Sequence, residues 1–275
     1  MNDLSFKRKE RKFLIVEHSF EEIREALINH IPVHTFNESH SCVLIQTTYL
    51  DTKDFLLFKE YLGRRKFRFK IRFRRYGYNG KFANHYLAEL KVKHKSISIK
   101  KRFILPENLL EKLIDGEDIK EEVKKANAGL KGAGKTYKLI SKLIEINDLK
   151  PVLQASYERV AFQKKSKKLR ITVDRNIIHK KLLGKPKIET LDAIVFESKI
   201  MNKSPEWYKK MVKKLSLLRQ QRFSKYTTGI NALYFPDRGK YNFLDDDGLA
   251  NPDIPETITE SFNLLKKALK LEDVI

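Results

Sequence analysis

Basic residues recur at every second position over several short stretches, with phenylalanine or aliphatic residues between them. From Phe67 to Arg74, Phe67, Phe69, Ile71 and Phe73 alternate with Arg68, Lys70, Arg72 and Arg74. An extended strand puts such sets on opposite faces. The same phasing groups Glu89 with Lys91 and Lys93, Lys100 with Arg102, Tyr157 with Arg159, Arg170 with Thr172 and Asp174, and Glu197 with Lys199. A solvated sheet face normally mixes charge signs, yet here lysine and arginine far outnumber Glu89, Asp174 and Glu197. Faces of one sign suit the binding of a polyanion, and unpaired buried cations are costly without one.

The whole composition points the same way. The 275 residues carry 57 Lys or Arg against 35 Asp or Glu, a formal net charge of +22. That excess calls for an anionic partner: nucleic acid, membrane lipid or a polyanionic small molecule. From Asp237 to Ile275 there are nine acidic and five basic residues, a net of −4, so the first 236 residues carry +26. The shift, with Asp245-Asp246-Asp247-Gly248, Pro252 and Pro255, predicts a domain over residues 1–236 followed by an acidic linker and an amphipathic helix over 237–275. Phe262, Leu265 and Leu269 share that helix's apolar face. The single cysteine, Cys42, excludes an intramolecular disulfide framework and suits a reducing compartment, so a cytoplasmic location is expected. The first residues lack the apolar run of a signal peptide, and no stretch reaches the ~18–20 apolar residues of a membrane span.

Period-two alternation predicts strands near 8–16, 42–50, 66–76, 86–94, 96–105, 152–163, 168–175 and 192–200. A capping box at Ser19 and Glu22 predicts a helix with Ile23, Ala26, Leu27 and Ile31 on one side. Ser204-Pro205-Glu206 opens another, striped by Trp207, Met211, Leu215 and Leu218. Residues 106–149 hold two or three more. The helices' apolar stripes need a sheet face to cover, and the phenylalanine faces supply it. The expected fold is therefore α+β: an antiparallel eight-stranded β-barrel with helices packed outside and the charged faces lining the lumen.

These residues resemble a known family. Glu10-Arg11-Lys12-Phe13-Leu14-Ile15 is similar to the opening strand of the triphosphate tunnel metalloenzymes of the CYTH superfamily, whose motif is E-x-E-x-K. Further segments resemble the VTC domain (vacuolar transporter chaperone), the polyphosphate polymerase branch: Thr48-Tyr49-Leu50-Asp51-Thr52, Arg72-Phe73-Arg74, Glu89-Leu90-Lys91 and Lys100-Lys101-Arg102-Phe103. They continue with Tyr157-Glu158-Arg159-Val160-Ala161-Phe162, Arg170-Ile171-Thr172-Val173-Asp174, Glu197-Ser198-Lys199 and Arg222-Phe223-Ser224-Lys225-Tyr226. The matches run in order over roughly residues 8–238. Arg8 replaces the motif's first glutamate, which removes a carboxylate that hydrolytic relatives use for metal. Arg222 stands where the resemblance leads one to expect lysine.

The resemblance implies an ATP-dependent polyphosphate polymerase that adds the γ-phosphate of ATP to inorganic polyphosphate in a basic tunnel. It assigns Arg72, Arg74, Lys91, Lys100, Arg159 and Arg170 to the reacting phosphates. Lys12, Tyr157, Lys199, Arg222, Ser224 and Lys225 then bind substrate. Glu197 is the candidate ligand for Mn²⁺ or Mg²⁺, while Glu10 and Glu89 orient lysines. A tunnel-fold triphosphatase or polyphosphatase is the near alternative. Specific nucleic-acid binding is disfavoured, because the phenylalanines lie opposite the basic faces, where they cannot stack on bases. The SPX domain and membrane helices of the eukaryotic complexes have no counterpart in these residues. A membrane-associated partner for export and the oligomeric state stay open. One competing motif is present: Gly129 to Thr136 satisfies G-x-x-x-x-G-K-[ST]. It follows a charged helical stretch rather than an apolar strand, so it is not expected to bind phosphate.

Overall fold

The computed structural model describes residues 8–36, 39–63, 65–95, 97–164, 169–201, 203–217, 223–238 and 256–271. In chain order the elements are β1 (Arg8–Ile15), α1 (Phe20–Ile28), β2 (Val33–His34), β3 (Cys42–Asp51), α2 (Leu56–Leu62), β4 (Phe67–Tyr78) and β5 (Lys81–Phe82). There follow β6 (His85–His94), β7 (Ile97–Pro106), α3 (Leu110–Ile114), α4 (Lys120–Ala126), α5 (Ala133–Asn147), β8 (Lys150–Gln163) and β9 (Leu169–Lys181). The last are β10 (Ile188–Leu191), β11 (Ile194–Met201), α6 (Glu206–Lys214), α7 (Lys225–Tyr234) and α8 (Glu256–Leu269).

Among the described residues one antiparallel sheet contains every strand. Its main path runs β1-β11-β9-β8-β3-β4-β6-β7, and β10, β2 and β5 pair at its side with β9, β8 and β4. The eight strands of the path are the eight that alternation predicts. The expected closed barrel is not what the hydrogen bonds show: among the described residues β1 and β7 end the path, and the sheet has eleven strands. The three additional strands are two to four residues long, too short for alternation to register. β9 also runs to Lys181, past the predicted end at 175, because β8 and β10 both give it partners there.

The apolar strand faces bury outward, under helices. Phe69, Ile71 and Phe73 of β4 join Leu90 of β6 and Phe103 of β7 beneath α3, α4, α5 and α8. Phe13 of β1, Phe196 of β11 and Ile171 of β9 pack beneath Ile23 and Leu27 of α1 and Tyr208 and Met211 of α6. Each such side chain contributes roughly 1.5–3 kcal/mol on burial, so the phenylalanine phase decides which way every strand faces. Ser19 and Glu22 form the predicted capping box, with bonds of 3.2 and 2.7 Å. Pro205, whose type predicts the first helical position after a Ser204 cap, sits instead at the N-cap of α6, and Leu218 lies outside the described residues.

The C-terminal helix begins at Glu256 and seats Ile258 and Leu265 on the first cluster. Ser261 bonds Asn147 of α5. The acidic linker at 239–255 lies outside the described residues.

Two helices break the expectation that helices pack outside. α7 is buried along most of its length. Its Tyr226, Ile230 and Leu233 pack, with Phe58 of α2, on Leu153 and Ala155 of β8 and Tyr49 of β3. Leu153 and Ala155 share a face with Tyr157, so α7 lies on the inner side of the sheet. The contact is close enough to require Gly229: a Cβ there would meet His179 Cδ2 at 2.6 Å and Leu153 Cδ2 at 2.7 Å.

Candidate phosphate-binding site

With the apolar faces turned outward, the charged faces of distant strands look at one another. Lys91 of β6 feels Glu10 and Lys12 of β1, and Glu197 of β11. Arg74 of β4 feels Tyr157 and Arg159 of β8. The faces line a common hollow.

Three carboxylates organise it, and each holds two cations. Glu89, almost wholly buried, accepts from Arg72 Nε at 2.7 Å and pairs with Lys100. Asp174, also buried, takes Arg159 through both oxygens at 2.5 and 2.7 Å and Lys225 Nζ at 2.6 Å. Glu197 pairs with Lys199 at 2.5 Å and with Lys12 at 4.0 Å. The phasing explains the pattern: Glu89 faces Arg72 and Arg102 across its two ladders, and Glu197 faces Lys12. Cross-strand opposite charges attract without any contiguous motif.

Titration behaviour follows from this geometry. Burial pushes the Glu89 carboxyl up, but Arg72, Arg74 and Lys100 override it and bring it down to about 2. Burial likewise acts upward on Asp174, and Arg159 with Lys225 holds it below the usual aspartate value. Glu197 is drawn well down against burial by Lys12 and Lys199. Burial lowers the Lys12 ammonium, and Glu197 and Glu10 more than restore it; Glu10 lies 3.3 Å away. All three clamping carboxylates are thus anions at neutral pH, each paired with cations.

Two predicted cations have no such clamp. Arg74 is buried, and its Nε donates to Thr47 Oγ1 at 3.1 Å. Lys91 is open to solvent in the hollow, and desolvation with the nearby Lys12 and Arg72 lowers its ammonium despite Glu10. Neither has a carboxylate within ion-pair distance among the described residues. Tyr157 is buried beneath Arg159 and Lys225, whose charged groups lie 5.4 and 4.5 Å from its ring centre. Burial opposes ionisation of its hydroxyl, but Arg74, Arg159 and Lys225 bring it below the ordinary tyrosine value.

The remaining predicted residues fall as follows. Arg170 stands cross-strand from Lys199, at the edge of the Glu197 group. Ser224 occupies the N-cap position of α7 without a side-chain capping bond. Arg222 lies outside the described residues. Glu89 and Glu10 orient basic side chains, as expected. Asp174 is not among the sequence-predicted site residues, though its alternation with Arg170 and Thr172 carries the signal. Lys70 and Tyr226 are likewise absent from the predicted site; the position of α7 inside the sheet has no periodic signature.

The Gly129–Thr136 segment is not in this hollow. It links α4 to α5, with Gly129 and Gly132 in the left-handed region at φ 82° and 84°. Thr136 donates its hydroxyl to Gly132 O at 3.0 Å, and Lys135 is exposed. No strand end aims these amides at an anion.

A divalent cation meets an incomplete protein site here. No group of three or more His, Cys, Asp or Glu side chains is arranged for a metal among the described residues. Glu197, with Glu10 across Lys12, is a donor set of one or two carboxylates. That set fits Mg²⁺-type ions, which keep waters and take their other ligands from substrate phosphates. No helix among the described residues is long and apolar enough to cross a membrane.

The structure is similar to that of a Pyrococcus horikoshii OT3 protein, at 14% identity and TM-score 0.45 over 82% of this chain and 99% of that one. It is similar also to a candidate adenylate cyclase of Bacillus halodurans (15% identity, TM-score 0.42, 82% and 98% covered) and to a conserved hypothetical protein of Pyrococcus furiosus (13%, 0.39, 80% and 99%). No curated protein matches the sequence. The VTC domain profile matches residues 7–234, from β1 through α7 with every clamp inside it, and the chain belongs to the VTC domain family.

Proposed function

We propose that this protein is a polyphosphate polymerase that transfers the γ-phosphoryl group of ATP to inorganic polyphosphate within a basic tunnel. The observation that carries the reading is the threefold clamp. Glu89, Asp174 and Glu197 fix six cations, while Arg74 and Lys91 face the same hollow without an ion pair among the described residues. Phosphoryl transfer asks the protein for placement and charge neutralisation rather than covalent chemistry. Fixed cations meet that need with no reorganisation during the reaction.

In this reading Arg72, Arg74, Lys91, Lys100, Arg159 and Arg170 surround the reacting phosphates. Lys12, Tyr157, Lys199, Arg222, Ser224 and Lys225 hold nucleotide and chain. Walls formed by facing strands limit water, so the chain end rather than hydroxide meets the γ-phosphorus. Glu197 would hold Mn²⁺ or Mg²⁺, and the ion would supply further neutralisation of the phosphate oxygens. The triphosphate tunnel fold, cytoplasmic synthesis and export through a membrane-associated partner belong to the same proposal.

The test is incubation of the purified protein with ATP and Mn²⁺ or Mg²⁺, with products resolved by size. Long polyphosphate with ADP is expected. Orthophosphate alone makes the protein a hydrolase, and no turnover with tight binding of any nucleic acid overturns both enzymatic readings.

A further inference from the structure

Lys70 is a basic residue of the hollow that the assigned roles leave out. It precedes Arg72 by two residues on the same face of β4, and its register partner on β6 is Lys91. Its ammonium lies 3.7 Å from the centre of the Tyr61 ring of α2 and 4.7 Å from that of Tyr226 of α7. No carboxylate reaches it within ion-pair distance among the described residues.

The charged groups facing it are nearly all of its own sign. Lys91 comes from β6, Lys12 from β1 and Arg68 from β4 itself, with Asp51 of β3 in weaker opposition. Asp51 is already engaged: it accepts from the amides of Thr52, Leu57 and Phe58 and from the Tyr226 hydroxyl. Two tyrosine faces return only part of the hydration that burial removes from an ammonium. The described carboxylates therefore leave the positive charge around Lys70 largely uncompensated.

We propose that Lys70, seated between Tyr61 and Tyr226, is a further phosphate-binding position of the hollow, and that it takes the polyphosphate chain beyond the length of one triphosphate. The inference rests on the polyphosphate reading above. Its geometric basis is the line of cations on β4: Arg74 to Lys70 spans ~13 Å at ~3.3 Å per residue, longer than a triphosphate. Lys12 and Lys91 flank the end of that line, and the rings of α2 and α7 wall it. Desolvation first, then Lys91, Lys12 and Arg68, sets the Lys70 ammonium well below the ordinary lysine value. A phosphate arriving beside it reverses the second cause, so binding draws a proton onto Lys70 and tightens as pH falls through its range.

Calorimetric titration of the metal-free protein with inorganic tripolyphosphate and with long-chain polyphosphate, in buffers of different ionisation heat, tests this without ATP turnover. For the wild type, long-chain binding is expected to take up a proton. Lys70→Met should lose that uptake and bind the long chain at least tenfold more weakly, with a smaller loss for tripolyphosphate. Lys70→Arg should keep the affinity and lose the uptake, because a guanidinium does not titrate in this range. It also decides the matter if the methionine variant fails to fold. Long-chain affinity unchanged in Lys70→Met, or uptake retained in Lys70→Arg, overturns the proposal. A protein that makes no polyphosphate yet shows the expected pattern keeps the subsite and loses the polymerase.

Discussion

The inner face of β4 and the Gly129–Thr136 segment both offer basic residues in a pattern that reads as phosphate binding, and the structure treats them oppositely. On β4, Arg72 and Arg74 are held against Glu89 and Thr47, facing cations from three other strands. On α5, Lys135 stands in solvent, and the neighbouring threonine spends its hydroxyl on its own helix. The consecutive motif yields no site, while the dispersed alternation does. What separates them is convergence: a phosphate site needs donors from several elements aimed at one volume, and only a buried apolar phase on each strand enforces that aim.

The largest expected effect comes from dismantling a clamp. Asp174→Asn leaves Arg159 and Lys225 buried beside each other without the carboxylate that pairs with both. Loss of one partner of a buried pair costs roughly 3–5 kcal/mol, so denaturant midpoints at neutral pH should fall accordingly. A variant as stable as wild type would show that solvent already screens this end of the hollow.

The Glu89 clamp makes a pH-dependent version of the same point. Its carboxyl stands at about 2 in the folded protein against an ordinary 4.5. A depressed carboxyl stabilises the fold above its unfolded value, and the contribution disappears as pH falls from 4.5 through 2. The full difference is about 3 kcal/mol at ~1.36 kcal/mol per unit. Glu89→Gln should therefore flatten the acid limb of stability over that interval. An acid limb identical to wild type would break the assignment.

Arg74 and Arg72 sharpen the comparison in activity. Each should contribute ~2–4 kcal/mol of transition-state stabilisation, the scale of one preorganised electrostatic donor. Their stability effects should differ. Arg74→Ala breaks no ion pair, whereas Arg72→Ala leaves buried Glu89 with Lys100 as its one ion-pair partner among the described residues. Steady-state polyphosphate synthesis beside thermal melts should show both variants slow and Arg72→Ala the less stable. Normal turnover in both would turn the β4 face into an ordinary wet surface.

Glu197→Gln is expected to act through the divalent ion, with a smaller effect. Glutamine keeps the shape and loses the charge that a hard cation needs. The metal concentration for half-maximal rate should rise about tenfold, ~1.4 kcal/mol, with little change in metal-free ATP binding. An unchanged metal titration would reduce Glu197 to the partner of Lys199 and Lys12.

The strands and their facing were legible because phenylalanine against arginine at period two leaves one arrangement that buries the first and gathers the second. From that the eight path strands, the outer helices and the lumen residues Arg72, Arg74, Lys91, Lys100 and Arg159 could be read. Asp174 was written in the same alternation, yet one acid among cations does not reveal that it clamps two of them. α7 was not legible as an inner helix. Its placement depends on Gly229 fitting against His179, a contact between residues fifty apart, and Tyr226 and the wall of Lys70 follow from that fit. Strand closure was over-read, because alternation says which way a strand faces and nothing about whether the first strand meets the last.

The smallest effect belongs to Lys135. If Gly129–Thr136 cradled ATP, this lysine would touch the β- and γ-phosphates and Lys135→Ala would abolish turnover. We expect a change of less than about threefold, roughly 0.7 kcal/mol. The segment joins two helices, its left-handed glycines serve the turn, and the α5 lysine lies on the outer layer with Leu139 and Ile140 facing the core behind it. Lys100→Ala in the same assay gives the contrast, since that side chain reaches Glu89 and holds one side of a clamp. An inactive Lys135 variant beside an active Lys100 variant would reverse the comparison, placing the chemistry on the consecutive motif and leaving the hollow to binding alone.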